Sequence, residues 1–81
     1  MRKILLISIS GADKPGITEA VSEVLMRHKC DILDISQSVI HDNLNLGLLA
    51  RTPIVCELDY IKSEILPSID AFAVKVRFQE I

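Results

Sequence analysis

Aromatic residues are scarce in this chain, which has one tyrosine, two phenylalanines and no tryptophan among its 81 residues. Because 49% of the residues are hydrophobic, the core must be built from aliphatic side chains. The net charge is −2, and no run of like charge is longer than Arg2-Lys3. Nucleic-acid binding would call for a basic stripe with stacking aromatics. We therefore expect no nucleic-acid partner.

Long apolar runs are also missing. No stretch approaches the ~20 apolar residues that a helix needs to span a bilayer. The segment after Arg2-Lys3 lacks the length and the cleavage pattern of a signal peptide. We therefore expect no membrane partner and a cytoplasmic location.

Groups suited to catalysis or metal binding are few. Cys30 and Cys56 lie far apart, with no C-x-x-C spacing, so we interpret them as two reduced thiols. No Ser/His/Asp spacing of a known type and no D-x-D motif occur. Asp31 and Asp34 are three positions apart on a predicted strand, so we expect them on opposite faces. The sequence predicts a domain that is not an enzyme and holds no metal.

Hydrophobic periodicity predicts the first elements. Residues 3–10 (KILLISIS) are nearly all apolar, as in a central strand buried on both faces or nearly so. Apolar positions then recur at helical spacing from Ile17 to His28, which predicts an amphipathic helix. Residues 31–41 and 44–51 alternate as strands, with a tight turn at residues 41–43 between them, and so predict a hairpin. On the first of these strands, Leu33, Ile35 and Val39 are expected on one face and Ile32 on the other.

The second half repeats the pattern. Thr52 followed by Pro53 predicts the start of a second helix, which Pro67 and Ser68 end or kink. Residues 71–79 (AFAVKVRFQ) alternate as a last strand, whose inward residues are expected to be Phe72, Val74, Val76 and Phe78. The order β-α-β-β-α-β with right-handed crossovers predicts a ferredoxin-like α+β fold: four antiparallel strands with two helices on one face. Strands one and three would be central.

The turn before the first helix carries the strongest functional signal. Asp13 is a good N-cap residue, and Pro15 and Gly16 suit a tight turn, so these residues could simply build the corner. The same atoms could also bind a ligand. The free N–H groups of a helix's first turn attract anions, and a nearby carboxylate binds an ammonium group. Together they meet the needs of an α-amino acid zwitterion.

The stretch SGADKPGITEAVSEVLMRHKCDILDISQSVI resembles ACT domains, small amino-acid-sensing modules of metabolic enzymes. Their D/N-x-P-G motif corresponds here to residues 13–16, and the polar residue that opens their second strand corresponds to Asp31. The segment DISQSVIHDNLNLGLLARTP is most similar to the N-terminal ACT region of bacterial phosphoserine phosphatases. The resemblance covers essentially the whole chain.

The resemblance implies a regulatory domain, residues 1–81, that is a fragment of a longer phosphoserine phosphatase. The ligand would be a small amino acid such as L-serine. Gly11, Asp13 and Gly16 would form one wall of its site, and Asp31 of a neighbouring domain the other. The domain would form a homodimer, or pair with a second ACT domain, through the edge of strand two. The domain itself would need no cofactor, and magnesium would belong to the catalytic part of the parent enzyme.

Two other interpretations remain open at this point. The chain could be a free-standing ACT protein that acts as a sensor or a protein-interaction adaptor. It could also be a small ferredoxin-like hydrolase, although it lacks the nucleophile and the phosphate-binding loop of such enzymes.

Overall fold

A computed structural model describes residues 2–53 and 57–81 of the chain. Its strands and helices follow the predicted order and run as follows: β1 Ile4–Ala12, α1 Ile17–Arg27, β2 Asp31–Ile40, β3 Asn43–Arg51, α2 Leu58–Ile69 and β4 Lys75–Glu80, with a 3₁₀ turn at Asp70–Phe72 before β4. The sheet has the strand order β2-β3-β1-β4, and all neighbouring strands are antiparallel. The predicted ferredoxin-like fold is confirmed, with β1 and β3 in the centre.

An aliphatic core lies between the two helices and one face of the sheet. The alternation along β1 buries Leu5, Ile7 and Ile9, whereas Ile4, Leu6 and Ser8 stay partly exposed. Full burial of β1 on both faces is therefore not observed, because both helices cover the same face and the other face is only partly buried. The remaining core residues come from α1 (Ile17, Val21, Val24, Leu25), β3 (Leu44, Leu46, Leu48, Ala50) and α2 (Leu58, Ile61, Ile65, Ile69).

A β-bulge changes the predicted faces of β2. The register shifts between Ile32 and Asp34, so that Leu33 is the extra residue. Ile32, paired with buried Ala50, packs against the core, and Ile35, paired with Leu48, also faces the helices. Asp31 and Asp34 therefore lie on the same face of the sheet, turned away from the helices, and the expectation of opposite faces is wrong. The extra residue shifts the alternation of faces by one position, so that Ile32 and Ile35, three positions apart, lie on the same face.

The hairpin turn is one residue shorter than predicted, because Asn43 already belongs to β3, and it has an uncommon sequence. His41 and Asp42 join Ile40 to Asn43, and both have positive φ, 53° and 61°. A two-residue turn with positive φ at both positions matches the right-handed twist of the flanking strands.

The predicted start of the second helix is wrong. Thr52 is buried and continues the sheet: its N–H donates to the Lys3 carbonyl over 2.8 Å, and its hydroxyl accepts from the Lys3 N–H over 2.9 Å. The helix begins at Leu58, with Glu57 as the N-cap residue. The hydroxyl that would have capped a helix is thus used to join two strand ends. Cys56, expected inside this helix, lies outside the described residues.

The last strand is shorter than predicted. Phe72 belongs to the 3₁₀ turn, and Ala73 has a positive φ of 54°, so β4 begins only at Lys75. Val76 and Phe78 pack against the core as expected, and Phe72 and Val74 do so from outside the strand.

Candidate functional site: the pocket before the first helix

The loop from β1 to α1 depends on Gly16. This residue is the N-cap of α1 and has a φ of 96°, a conformation that side chains other than glycine's rarely adopt. A Cβ here would meet the Phe72 ring at 3.5 Å, an ordinary contact, so the backbone conformation rather than space requires glycine. The prediction that Asp13 caps the helix is wrong, because the N-cap position lies three residues later, at Gly16.

The first turn of α1 offers unpaired donors. The Ala20 N–H donates to the Gly16 carbonyl over 3.0 Å, which is the first bond of the helix. The N–H groups of Ile17, Thr18 and Glu19 precede it and have no intrahelical partner. Within residues 2–53 and 57–81 no side chain caps them. Such a helix end attracts negatively charged groups.

Asp13 lies beside these donors, and its carboxylate is accessible to a ligand. Its backbone N–H donates to the Asp42 carbonyl over 2.9 Å, which ties the loop to the hairpin turn. The side chain is exposed. Across the described part of the chain, no hydrogen bond or ion pair engages its carboxylate. The backbone of Asp13 therefore has a structural role, while its side chain does not.

A pocket of about 290 Å³ lies between this loop and the sheet. It is lined by residues 13–19 together with Gln37 of β2 and Leu44 of β3. The Thr18 hydroxyl donates to Oε1 of Gln37 over 3.5 Å, a long contact. Asp13 and Gly16 thus both line this pocket, and the ligand-binding role predicted for them stays a prediction. Gln37 was missed, because only the register of β2 shows that it reaches this loop.

Gly11 does not line this pocket. A Cβ on it would come within 2.9 Å of Cγ1 and 3.2 Å of Cα of Val74. Its lack of a side chain therefore serves the packing of β1 against the segment before β4. The ligand-binding role predicted for Gly11 stays a prediction.

Asp31 lies at the opposite end of the sheet in the same chain. It pairs with Arg51, which in turn pairs with Ile4 at the start of β1. Its carboxylate accepts from Arg51 over 3.0 Å and from Arg2 over 3.4 Å. Nε of Arg51 is buried and has no hydrogen-bond partner within the described ranges. One domain therefore does not bring Asp31 to the pocket, and only a neighbouring domain could.

The pocket combines an exposed carboxylate with unpaired backbone donors, which suits a small ligand that carries both charges. Among residues 2–53 and 57–81, no three His, Cys, Asp or Glu side chains lie close enough to hold a metal ion. None of the described helices is long and apolar enough to cross a membrane.

Comparison with known proteins identifies the family. The family model described as the ACT domain matches residues 3–79, almost the whole chain. The chain belongs to the ACT domain family. ACT domains are regulatory, and as a family they bind small amino acids and dimerise.

Two curated relatives differ in how much of their length this ACT domain covers. A UPF0237 protein of Clostridium acetobutylicum is 31% identical over 78 residues, which is 93% of this chain and 85% of that protein. Phosphoserine phosphatase SerB2 of Mycobacterium tuberculosis is 42% identical over 50 residues, which is 62% of this chain but 12% of that enzyme. Two archaeal UPF0237 proteins are matched over about half of their length.

Solved structures agree with the fold. An ACT domain protein from Streptococcus pneumoniae superposes with a TM-score of 0.81 at 24% identity, covering 96% of this chain and 89% of that one. At this identity the likeness speaks for the fold alone.

Proposed function

We propose that this ACT domain is a regulatory module that binds a small amino acid in the pocket before α1. The observation that carries the proposal is the placement of the exposed Asp13 carboxylate beside the unpaired N–H groups of Ile17, Thr18 and Glu19. The carboxylate would pair with the ligand's ammonium group, and the N–H groups with its carboxylate. Gln37 and the Thr18 hydroxyl would meet the ligand's side chain.

Serine is the ligand we favour, and a phosphoserine phosphatase the parent. The support is the 42% identity to phosphoserine phosphatase SerB2 over 50 residues, and a pocket volume of about 290 Å³, which suits a small amino acid. In such a parent, the domain would report the level of L-serine to a catalytic domain outside these residues. Magnesium would act in that catalytic domain.

A free-standing sensor or adaptor is the second candidate. It is favoured by the UPF0237 protein of Clostridium acetobutylicum, which this chain matches over 85% of that protein's length. Sequencing the gene downstream of the codon for Ile81 distinguishes the two candidates. A phosphatase domain in the same reading frame supports the first, and its absence supports the second.

Removing the Asp13 carboxylate is expected to weaken amino-acid binding by about tenfold or more. In Asp13→Ala the ammonium group loses a charge-assisted hydrogen bond, which contributes about 1.5–3 kcal/mol. Calorimetric titration with L-serine, glycine and O-phosphoserine would measure the affinity. Gly16→Val is expected to have an equal or larger effect, because valine disfavours the φ of 96° that aims the N–H groups.

Glu23→Ala is the matched control, since Glu23 is an exposed acid on α1 that does not line the pocket. Its affinity should equal that of the wild type. An equal loss of affinity in both variants would show that the Asp13 effect comes from the change in net charge alone. If the folded wild type binds none of these amino acids, the sensor proposal is wrong, and the loop residues only build the corner.

We also propose that two copies pair along their β2 strands. β2 is an edge strand with no buried residue along its ten positions, and unprotected edges tend to pair. Ile35 and Val39, 45% and 47% exposed, lie on its helix-facing side, and Leu33 in the bulge is 44% exposed. Pairing would bury this apolar strip.

Antiparallel β2–β2 pairing would also bring Asp31 of one copy toward the pocket of the other. β1 and β2 run in the same direction, so the end of β2 lies at the same end of the sheet as the loop before α1. A partner strand running the opposite way starts there. The two arginines beside Asp31 would offset the repulsion between its charge and the ligand's carboxylate.

Placing a charge in the apolar strip is expected to break this pair. Val39→Lys would put an ammonium group where pairing requires burial, and we expect at least a tenfold weaker association in sedimentation equilibrium. Leu66→Lys is the control, because Leu66 is similarly exposed (49%) but lies on α2. Association that is unchanged by Val39→Lys, or equally weakened by Leu66→Lys, would exclude this edge.

A further inference from the structure

The face of the sheet turned away from the helices is an uncovered surface with small side chains at its centre. We call it the open face. Ser8 and Ser10 of β1, Ser36 and Ser38 of β2, and Asn45 and Gly47 of β3 line a shallow concavity of about 620 Å³ there. Lys75 and Arg77 border it on β4.

Neither the backbone conformation nor the space within the chain explains why residue 47 is a glycine. It does not have a positive φ, so its conformation does not call for glycine. The nearest atom to a Cβ built on it is the Ser36 carbonyl oxygen at 3.9 Å, an ordinary contact. Glycine inside a strand lowers stability by roughly 0.5–1 kcal/mol relative to alanine. A glycine at such a position marks a place where another backbone or a ligand comes close.

The two edges of the open face carry opposite charges. The bulge in β2 brings Asp34 to this face, in one row with Leu49, Leu6 and Gln79. The next row contains Gly47, Ser8 and Arg77. The open face therefore has an acid on the β2 side, cations on the β4 side, and leucines beside a strip of small residues.

This arrangement is self-complementary, and we propose that a second copy of this chain packs its own open face on it. A two-fold axis that lies between the faces and runs along the strands places β2 of one copy over β4 of the other, and β3 over β1. Leu49 would then cover Leu6 of the second copy. Gln79 would lie over Asp34 of the second copy, with Arg77 one row away.

Spacing and symmetry are consistent with this packing. Rows on one face are about 7 Å apart, so an arginine side chain spans the distance from its row to the next. Face-to-face sheets pack about 10 Å apart, which Gly47 and the serines permit. The alternative axis, perpendicular to the strands, would place Lys75 and Arg77 over the same residues of the second copy and is therefore disfavoured.

The open-face pair does not depend on the proposed amino-acid binding, and it is compatible with pairing along β2. The axis of the β2 pair is perpendicular to the sheet, and that of the open-face pair runs along it. The two axes do not meet, because the first passes outside β2 and the second runs between β3 and β1, so both contacts together would generate an open ribbon and not a closed tetramer. The Val39→Lys variant removes the edge contact and so isolates the open-face pair.

The test is sedimentation equilibrium in the Val39→Lys background, which we expect to be a dimer. Gly47→Glu should make it monomeric with an unchanged circular dichroism spectrum, because the chain itself has room for the side chain but two carboxylates would meet near the axis. Arg77→Asp and Asp34→Arg should each weaken association by about tenfold. The double variant should restore it to within about threefold of the parent, and Glu23→Lys should leave it unchanged.

Several results would overturn the proposal. They are a monomeric Val39→Lys protein, association that is insensitive to Gly47→Glu, and a double charge swap that fails to restore association. The open face would belong to a small anion instead if inorganic phosphate shifted the amide resonances of Lys75 and Arg77 in a monomeric wild-type chain. It would belong to a different protein if the wild type were monomeric and indifferent to phosphate.

Discussion

Leu48→Ala is expected to lower the free energy of unfolding by about 3 kcal/mol, within the roughly 2–5 kcal/mol found for buried leucines. Leu48 is 0% exposed in the central strand β3, and it lies beside Ile7, which is equally buried. The substitution removes apolar contacts and leaves a cavity that a tightly packed aliphatic core cannot close. A domain of this size buries about 60% of its unfolded surface and has little stability to lose.

Urea unfolding, followed by circular dichroism at one chain concentration for all variants, measures this loss. The fixed concentration matters because association adds to apparent stability. Leu66→Ala is the matched control: the chemical change is the same, but Leu66 is 49% exposed on α2. Surface substitutions usually change stability by about 0.5 kcal/mol or less. Equal losses in both variants would contradict the arrangement of the core.

Periodicity was sufficient to predict the architecture. The in-phase leucines of β3 (Leu44, Leu46, Leu48) and the helical spacing in α1 each report which face is buried, and burial decides where an element packs. The order of the elements then left one common topology. Local chemistry was less reliable. Thr52-Pro53 has the composition of a helix start, but the Thr52 hydroxyl accepts from the Lys3 N–H, a partner distant in sequence.

The bulge in β2 could not be read from the alternation of polar and apolar residues. In DILDISQSVI either phase places some apolar residues outward, because the strand lies at an edge that the helices leave uncovered. Only the pairing with β3 fixes which residue is extra. That single residue brings Asp34 to the open face beside Asp31.

The candidate site also has a part that the sequence predicts and a part that only the structure shows. Asp13 and Gly16 are neighbours in sequence, and their place at one helix start follows from the motif itself. Gln37 reaches the pocket from β2, and the contacts of Asp31 with Arg2 and Arg51 depend on strand register. Sequence reasoning finds the part of a site that one turn builds, and misses what the sheet adds.

Gly11→Ala is expected to cost about 2 kcal/mol of the free energy of unfolding, in the roughly 1–3 kcal/mol range of overpacking. The new Cβ would lie 2.9 Å from Cγ1 and 3.2 Å from Cα of Val74. A side-chain atom could rotate away, but the Cα cannot move without its backbone. The segment before β4 would therefore shift away from β1.

That shift should also reach the pocket. Phe72 belongs to the same segment and lies within contact distance of a Cβ built on Gly16, so the segment supports the loop that aims the N–H groups of α1. We expect Gly11→Ala to weaken amino-acid binding by about threefold to tenfold, although Gly11 does not line the pocket. Urea unfolding and calorimetric titration of the same preparation measure both effects.

Gly47→Ala is the matched control, because the nearest atom to its new Cβ is 3.9 Å away. We expect the Val39→Lys, Gly47→Glu protein to be a monomer. In that background the effect of Gly11→Ala on the free energy of unfolding can be measured without any contribution from association. There, Gly11→Ala should still destabilise the chain. At a chain concentration where the Val39→Lys, Arg77→Asp protein is monomeric, Gly47→Ala should leave the unfolding midpoint unchanged or raise it, because alanine restricts the unfolded chain more than glycine does. A Gly47→Ala variant that loses as much stability as Gly11→Ala would show that adding a Cβ to this sheet is itself destabilising, and that the loss at Gly11 does not report the contact with Val74.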